Sequence, residues 1–137
     1  MKIFSSEQIQ AWDRATIRDN KITSQALMER AATACFDWII ENVAIRNRLF
    51  TIFCGVGNNG GDGLAIARML SSNHSVTVYI LEFGHLGTED FQINLARLHQ
   101  TDVVIKFIPT GENIPQIPAG HIVIDALFGS GLNRPIT

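Results

Sequence analysis

Apolar residues recur at spacings of three and four from Ser5 to about residue 42, and beyond Leu49 short apolar runs alternate with such helical stretches. Ser5-Ser6-Glu7-Gln8 has the form of a capping box, with Ser5 at the N-cap and Gln8 at N3. Ile9, Trp12 and Ile17 follow on one broad face, predicting a first amphipathic helix that ends near Asp19-Asn20. Thr23 is placed to cap a second helix, whose apolar positions are Leu27, Ala31, Ala34, Cys35 and Trp38. Two helices, over 5–42, therefore precede any strand.

The period then shortens. Leu49 to Cys54 predicts a strand, Leu64 to Leu70 a helix, and Val76 to Leu81 a second strand. Phe91, Leu95 and Leu98 mark a helix capped by Thr88, and Val103 to Ile108 a third strand. Pro109 to Gly120 holds three of the four prolines and reads as a loop, and His121 to Asp125 is a fourth strand. Strands that alternate with helices and are apolar on both faces imply a parallel sheet covered on both sides, joined by right-handed crossovers. The β/α units over 49–137 and the two leading helices make one domain, 1–137, in keeping with a length sufficient for a single core. Ligands of such sheets sit beyond the carboxyl ends of the strands.

Composition removes several functions. Eleven basic and thirteen acidic side chains give a net charge of -2 without a long block of either sign, which disfavours a nucleic-acid or anionic-membrane surface. No apolar run approaches the ~20 residues of a membrane span, and the N-terminus turns polar before a signal-peptide core could form. A cytoplasmic protein is expected. Cys35 and Cys54 lack the number and spacing of a disulfide framework or zinc site and are expected to be buried and reduced. His74, His85, His99 and His121 share no metal-ligand spacing and are assigned no chemistry. Trp12 and Trp38 are expected in core or helix–helix packing, with an oligomer contact as the alternative.

Candidate chemistry collects in two loops. Between Phe53 and Leu64 lie five of the eleven glycines, where the backbone must take φ > 0 or approach something closely. Gly55-Val56-Gly57-Asn58-Asn59-Gly60 satisfies G-x-G-x-x-G, and Glu82 closes the next strand 22 residues on, where a dinucleotide fold places its ribose-binding acid. Against that fingerprint, Gly61 and Asp62 follow directly, placing a carboxylate at the expected helix start, where a pyrophosphate would take the positive dipole end. Asn58 and Asn59 can donate and accept hydrogen bonds and lend a carbonyl oxygen to a hard cation, while Gly60 and Gly61 expose N–H groups. Asp62 as an N-cap stands beside Asp62 as a ligand contact, and Asn58 could equally be a turn former.

The second loop follows Asp125, a carboxylate at a strand's carboxyl end that is expected to face the ligand crevice. Gly129, Ser130, Gly131, Leu132, Asn133, Arg134 and Pro135 come next; Gly-Ser-Gly can offer N–H groups and a hydroxyl to a phosphate, and Arg134 a charge. A solvated surface role for Arg134 is an equal alternative.

Ser5-Ser6-Glu7-Gln8 with Asp13-Arg14-Ala15-Thr16, Leu27-Met28-Glu29-Arg30-Ala31, the loop Gly55 to Gly63, and Asp125 to Leu132 occur in this order along the chain. Together they resemble the YjeF N-terminal domain family, the NAD(P)H-hydrate epimerases. The resemblance implies a three-layer α/β/α Rossmann-like sandwich with a mainly parallel sheet, a homodimer, and interconversion of the R and S epimers of hydrated NADH and NADPH. It also implies that Asn58 to Asp62 and Gly129 to Pro135 contact the substrate, that Asn59 and Asp125 ligate a potassium ion, and that Asp125 lies closest to the chemistry. Members of the family carry a later Asp-x-Pro-Ser-Gly segment that nothing here matches, so the chain is expected to be a C-terminally truncated domain. Many are fused to an NAD(P)H-hydrate dehydratase. Two other functions stand beside the epimerase: a non-catalytic binding and dimerisation module, as in eukaryotic mRNA-decapping scaffolds, and a NAD-dependent Rossmann oxidoreductase.

Overall fold

A computed structural model describes residues 5–20, 22–43 and 49–129. The element order is α1 (Ser6–Asn20), α2 (Ser24–Asn42), β1 (Leu49–Cys54), α3 (Asn58–Leu70), β2 (Ser75–Leu81), α4 (Glu89–Leu98), β3 (Val104–Ile108) and β4 (His121–Ala126). The caps form as their sequences dictate. Gln8 N donates to Ser5 Oγ at 3.2 Å while Ser5 N donates to Gln8 Oε1 at 2.8 Å, a reciprocal capping box. Thr23 and Thr88 accept from Ala26 N and Phe91 N at 3.0 and 3.2 Å.

The four strands are all parallel, in the order β3-β2-β1-β4. The crossovers β1–α3–β2 and β2–α4–β3 each step one place along the sheet, and the loop after β3 returns the chain across to the far side of β1. The residues Phe50, Ile52, Cys54, Val76, Val78 and Ile80, alternating along β1 and β2, share one buried face. Against it pack Leu64, Ala65, Ala67 and Leu70 of α3 and Phe91 and Leu98 of α4, in one core with Ala32 and Ile39 of α2. The three helices lie side by side, α3 in the middle touching both α2 and α4. The expected α/β class and parallel sheet are what the structure has.

Three sequence expectations need correction. The buried stripe of α2 is Met28, Ala32 and Ile39, whereas Ala31, Ala34, Cys35 and Trp38 are exposed. Both stripes satisfy helical spacing; the neighbour decides between them, because the bare backbone at Gly61 gives Met28 its seat, with a Cβ there falling 2.9 Å from Met28 Sδ. Trp12 and Trp38 are 52% and 59% exposed and so are not core residues. Cys54 is buried as expected, but Cys35 is on the surface; both are free thiols. The side chain of Ile17 lies outside the described residues. Across the top of the helical layer, Arg68 of α3 grips Glu29 of α2 at 2.5 and 2.6 Å.

Candidate active site

The carboxyl ends of β1, β2 and β4 deliver three loops to one edge, and backbone contacts lock them together. Gly55 N donates to Ala126 O at 3.1 Å, and Thr88 N donates to Val56 O at 3.0 Å. Thus the turn after β1 is held from the β4 side and from the β2 side. At Gly87 the φ of +82° belongs to the left-handed region, and a Cβ there would also collide with the Val56 carbonyl, so glycine is required twice over.

The helix α3 begins earlier than the sequence suggested. Gly57 is its N-cap and Asp62 its fifth residue, so Asp62 is not an N-cap. No acidic residue lies in the first turn. The reason is visible at Gly60, where any Cβ would collide with the carbonyl oxygen of Gly55. Gly60 allows the helix to start directly against the strand end. None of Gly55, Gly57, Gly60, Gly61 and Gly63 has a positive φ; of the two uses a glycine has, this loop takes close approach. The first intrahelical bond runs from Gly61 N to Gly57 O, 3.0 Å, and the N–H groups of Asn58, Asn59 and Gly60 are those a helix leaves for outside partners. Contrary to the sequence expectation, the positive end of α3 carries no carboxylate in its first turn to oppose a phosphate.

Asn59 meets the second loop. A Cβ on Gly129 would lie 3.0 Å from Asn59 Cβ and 3.3 Å from its Oδ1, so the carboxamide of one loop lies against the backbone of the other. Asn58 is exposed beside it. Asp125 stands in register with Phe53, in a row that continues through Tyr79 to Lys106. Phe53 and Tyr79 stack at 5.3 Å between centroids, and Lys106 Nζ sits 5.9 Å from the Tyr79 ring. Neighbouring Ala126 points the other way, against α3 at Gly63. The exposed Asp125 carboxylate accepts Leu127 N at 3.0 Å through Oδ1, an Asx-type turn that fixes both the carboxylate and the start of the second loop. Ser130, Gly131, Leu132, Asn133, Arg134 and Pro135 lie outside the described residues.

Sequence reasoning did not find the contribution of the β2–α4 loop. Phe83 from it meets Phe128 of the second loop, ring centroids 5.9 Å apart, at this same edge. The signal available was the pair Gly84 and Gly87 bracketing a short segment at a strand's carboxyl end. Glu82 is exposed at the end of β2, its N–H bonded to Ile108 O. Three of the four histidines make local contacts: His121 Nδ1 pairs with Thr51 Oγ1 at 2.8 Å, His74 meets Phe50 edge-on, and His85 Nδ1 accepts from Gly87 N at 3.1 Å.

Fold and edge together define a parallel α/β domain of Rossmann-like type, with the polar, oxygen- and amide-rich loops after β1 and β4 packed against each other at the carboxyl edge of its sheet. The chain belongs to the family described as YjeF-related protein N-terminus, which matches residues 24–137. Among its relatives, the NAD(P)H-hydrate epimerase of Oenococcus oeni is 34% identical over 97% of this chain and 61% of that protein. That of Limosilactobacillus reuteri is 36% identical over 98% and 62%. The bifunctional NAD(P)H-hydrate repair enzyme Nnr of Dictyoglomus turgidum is 35% identical over 99% of this chain and 26% of its own length. The crystal structure of yeast ynu0 superposes with a TM-score of 0.79 at 21% identity, over all of this chain and 60% of that one. The chain thus spans about three-fifths of the curated epimerases.

Proposed function

We propose that the protein epimerises hydrated NADH and NADPH. The observation that carries the reading is membership of a family whose relatives, at about 35% identity along nearly the whole chain, bear that name. The geometry supports it. A dinucleotide needs a seat for its phosphates, and α3 offers the N–H groups of Asn58, Asn59 and Gly60 at its positive end. Gly61 and Asp62 follow within the helix, and the proposal counts Gly129 to Pro135 as further substrate contacts, as the family resemblance implies.

Inversion at the hydrated carbon breaks and remakes a bond to that carbon and leaves its oxidation state unchanged. The reaction therefore calls for a group that takes and returns a proton, not a hydride acceptor. Asp125, fixed by Leu127 N at the carboxyl end of β4, is the residue we assign nearest that carbon. A potassium ion belongs to the same proposal, held by Asn59 and Asp125. A neutral carboxamide and one carboxylate are the all-oxygen donors that a hard cation accepts. When bound, it would offset charge at the substrate's phosphates. The proposal also comprises a homodimer, with exposed Trp12 and Trp38 as candidate contacts, and a cytoplasmic setting in keeping with two free thiols. It includes a dehydratase acting on the S epimer, in keeping with the bifunctional relative. Among the described residues no helix is long and apolar enough to cross a membrane.

The test is conversion of the R epimer of hydrated NADPH to S, followed by chiral chromatography. Asp125→Asn is expected to lower kcat by about a hundredfold or more, the usual scale for loss of a positioned acid or base. Absence of any S epimer with the unaltered protein would sink the reading.

A further inference from the structure

Two exposed aromatic side chains stand at the carboxyl edge of the sheet beside the candidate site. Phe83 and Phe128 are 43% and 46% exposed, yet their ring centroids are 5.9 Å apart at a tilt of 53°. They come from the strands on either side of β1: Phe83 lies two residues past the end of β2 and Phe128 two past the end of β4. Strands in a sheet are about 4.8 Å apart, so β2 and β4 are separated by roughly 9.6 Å. The two rings can meet only by reaching toward each other across the end of β1. The pair therefore joins the loop after β2 to the loop after β4.

The backbone holds each ring in place. Phe128 sits between Leu127, tied to the Asp125 carboxylate, and Gly129, which lies against Asn59. The Phe83 loop is pinned at its far end by Gly87 and Thr88 against Val56. Such rings at a polar, amide-lined edge expose apolar faces to water, a cost that a flat ligand ring removes by stacking.

We propose that the Phe83–Phe128 pair is the stacking platform for the adenine of the dinucleotide, an assignment that rests on the epimerase reading. The spacing decides how the base sits. Slotting a ring between two others needs roughly 7 Å, twice the carbon–carbon contact distance of about 3.5 Å. At 5.9 Å there is no such slot, so the base lies on the outer face of the pair. Chemistry decides which end of the dinucleotide it is. The hydrated nicotinamide ring has a tetrahedral carbon carrying the hydroxyl and is no longer flat on both sides, whereas the purine is. Phe83 and Phe128 then set affinity and take no part in bond making.

The experiment compares two substrates, hydrated NADH and the hydrated reduced mononucleotide that lacks the adenosine half. In a Phe83→Leu/Phe128→Leu variant, KM for the dinucleotide is expected to rise about tenfold, within the range for loss of one aromatic stack. Its kcat, and both constants for the mononucleotide, should stay within twofold. A Phe83→Tyr/Phe128→Tyr variant keeps the ring faces and should behave as the parent, separating stacking from any folding defect of the Leu pair. Equal losses on both substrates, or no loss on either, would overturn the assignment. A second measurement, calorimetric titration with ADP-ribose, keeps the two proposals apart. Weaker ADP-ribose binding in the Leu variant, together with no turnover in any form, would reject the epimerase and leave the adenine platform standing. ADP-ribose binding indifferent to the Leu substitutions, or absent from the parent, would reject the platform.

Discussion

The two cysteines show how much a single position depends on its surroundings. Cys54 ends β1 beneath Gly63 and Ala126, and burial alone pushes its thiol from 9.0 up to about 12; Cys35, on α2, is exposed. A thiol reagent at neutral pH should therefore modify one cysteine in the native protein and two after denaturation, counted by mass; two fast modifications in the native state would place Cys54 outside the core. The same shift has a thermodynamic sign. Above pH 9 the unfolded thiol loses its proton while the folded one keeps it, so Cys54 stabilises fully below pH 9 and loses that contribution up to about pH 12. The slope is about 1.4 kcal/mol per pH unit. Urea titrations at pH 8 and pH 10.5 should show a larger fall for the parent than for Cys54→Ala, the other groups being common to both. At this scale the placement of Asp125, Asn59 and the glycines beside strand ends was legible from the sequence. Phe83 and Phe128 were not, because nothing in spacing shows that two rings 45 positions apart meet across a third strand.

Among the elements, every strand and helix was foreseen to within a few residues except the start of α3, and the buried stripe of α2 was misplaced. Both misses have the same physical origin. Periodicity reports that a helix has an apolar face; which of two adjacent stripes is buried depends on where its partner is bare, here at Gly61. Likewise the glycines looked like loop because they weaken an isolated helix, yet Gly60 and Gly61 are helical since neighbouring backbone and Met28 occupy the space of a Cβ. The register of α2 can be checked with a matched pair. Ala32 is fully buried and Ala31 exposed, so Ala32→Leu should cost about 1–3 kcal/mol by overpacking and Ala31→Leu less than about 0.5 kcal/mol. Equal costs in chemical denaturation would mean that α2 packs by the other stripe.

For the whole molecule, the parallel α/β class followed from the alternation of strands and helices, while the order β3-β2-β1-β4 comes only from the structure. Stability should be uneven across that order. β1 has a partner on both sides and five buried residues of six, whereas among the described residues β3 pairs with β2 alone and leaves Val104 and Phe107 about half exposed. Native-state hydrogen exchange should find the amides of β1 slowest and those of β3 fastest among the strands; uniform protection would show that the sheet opens only as one unit. The central position of β1 has another consequence, in time. The 45 residues from Glu82 to Ala126 must be synthesised after β2 before β4 can pair with β1, roughly 2–9 s at 5–20 residues per second. Throughout that interval β1, an interior strand of the finished sheet with five of its six residues buried there, is an open edge on the ribosome, able to pair with a neighbouring nascent chain. The period of greatest exposure to aggregation is thus set by the speed of translation between two loops, and it ends when the strand carrying Asp125 arrives.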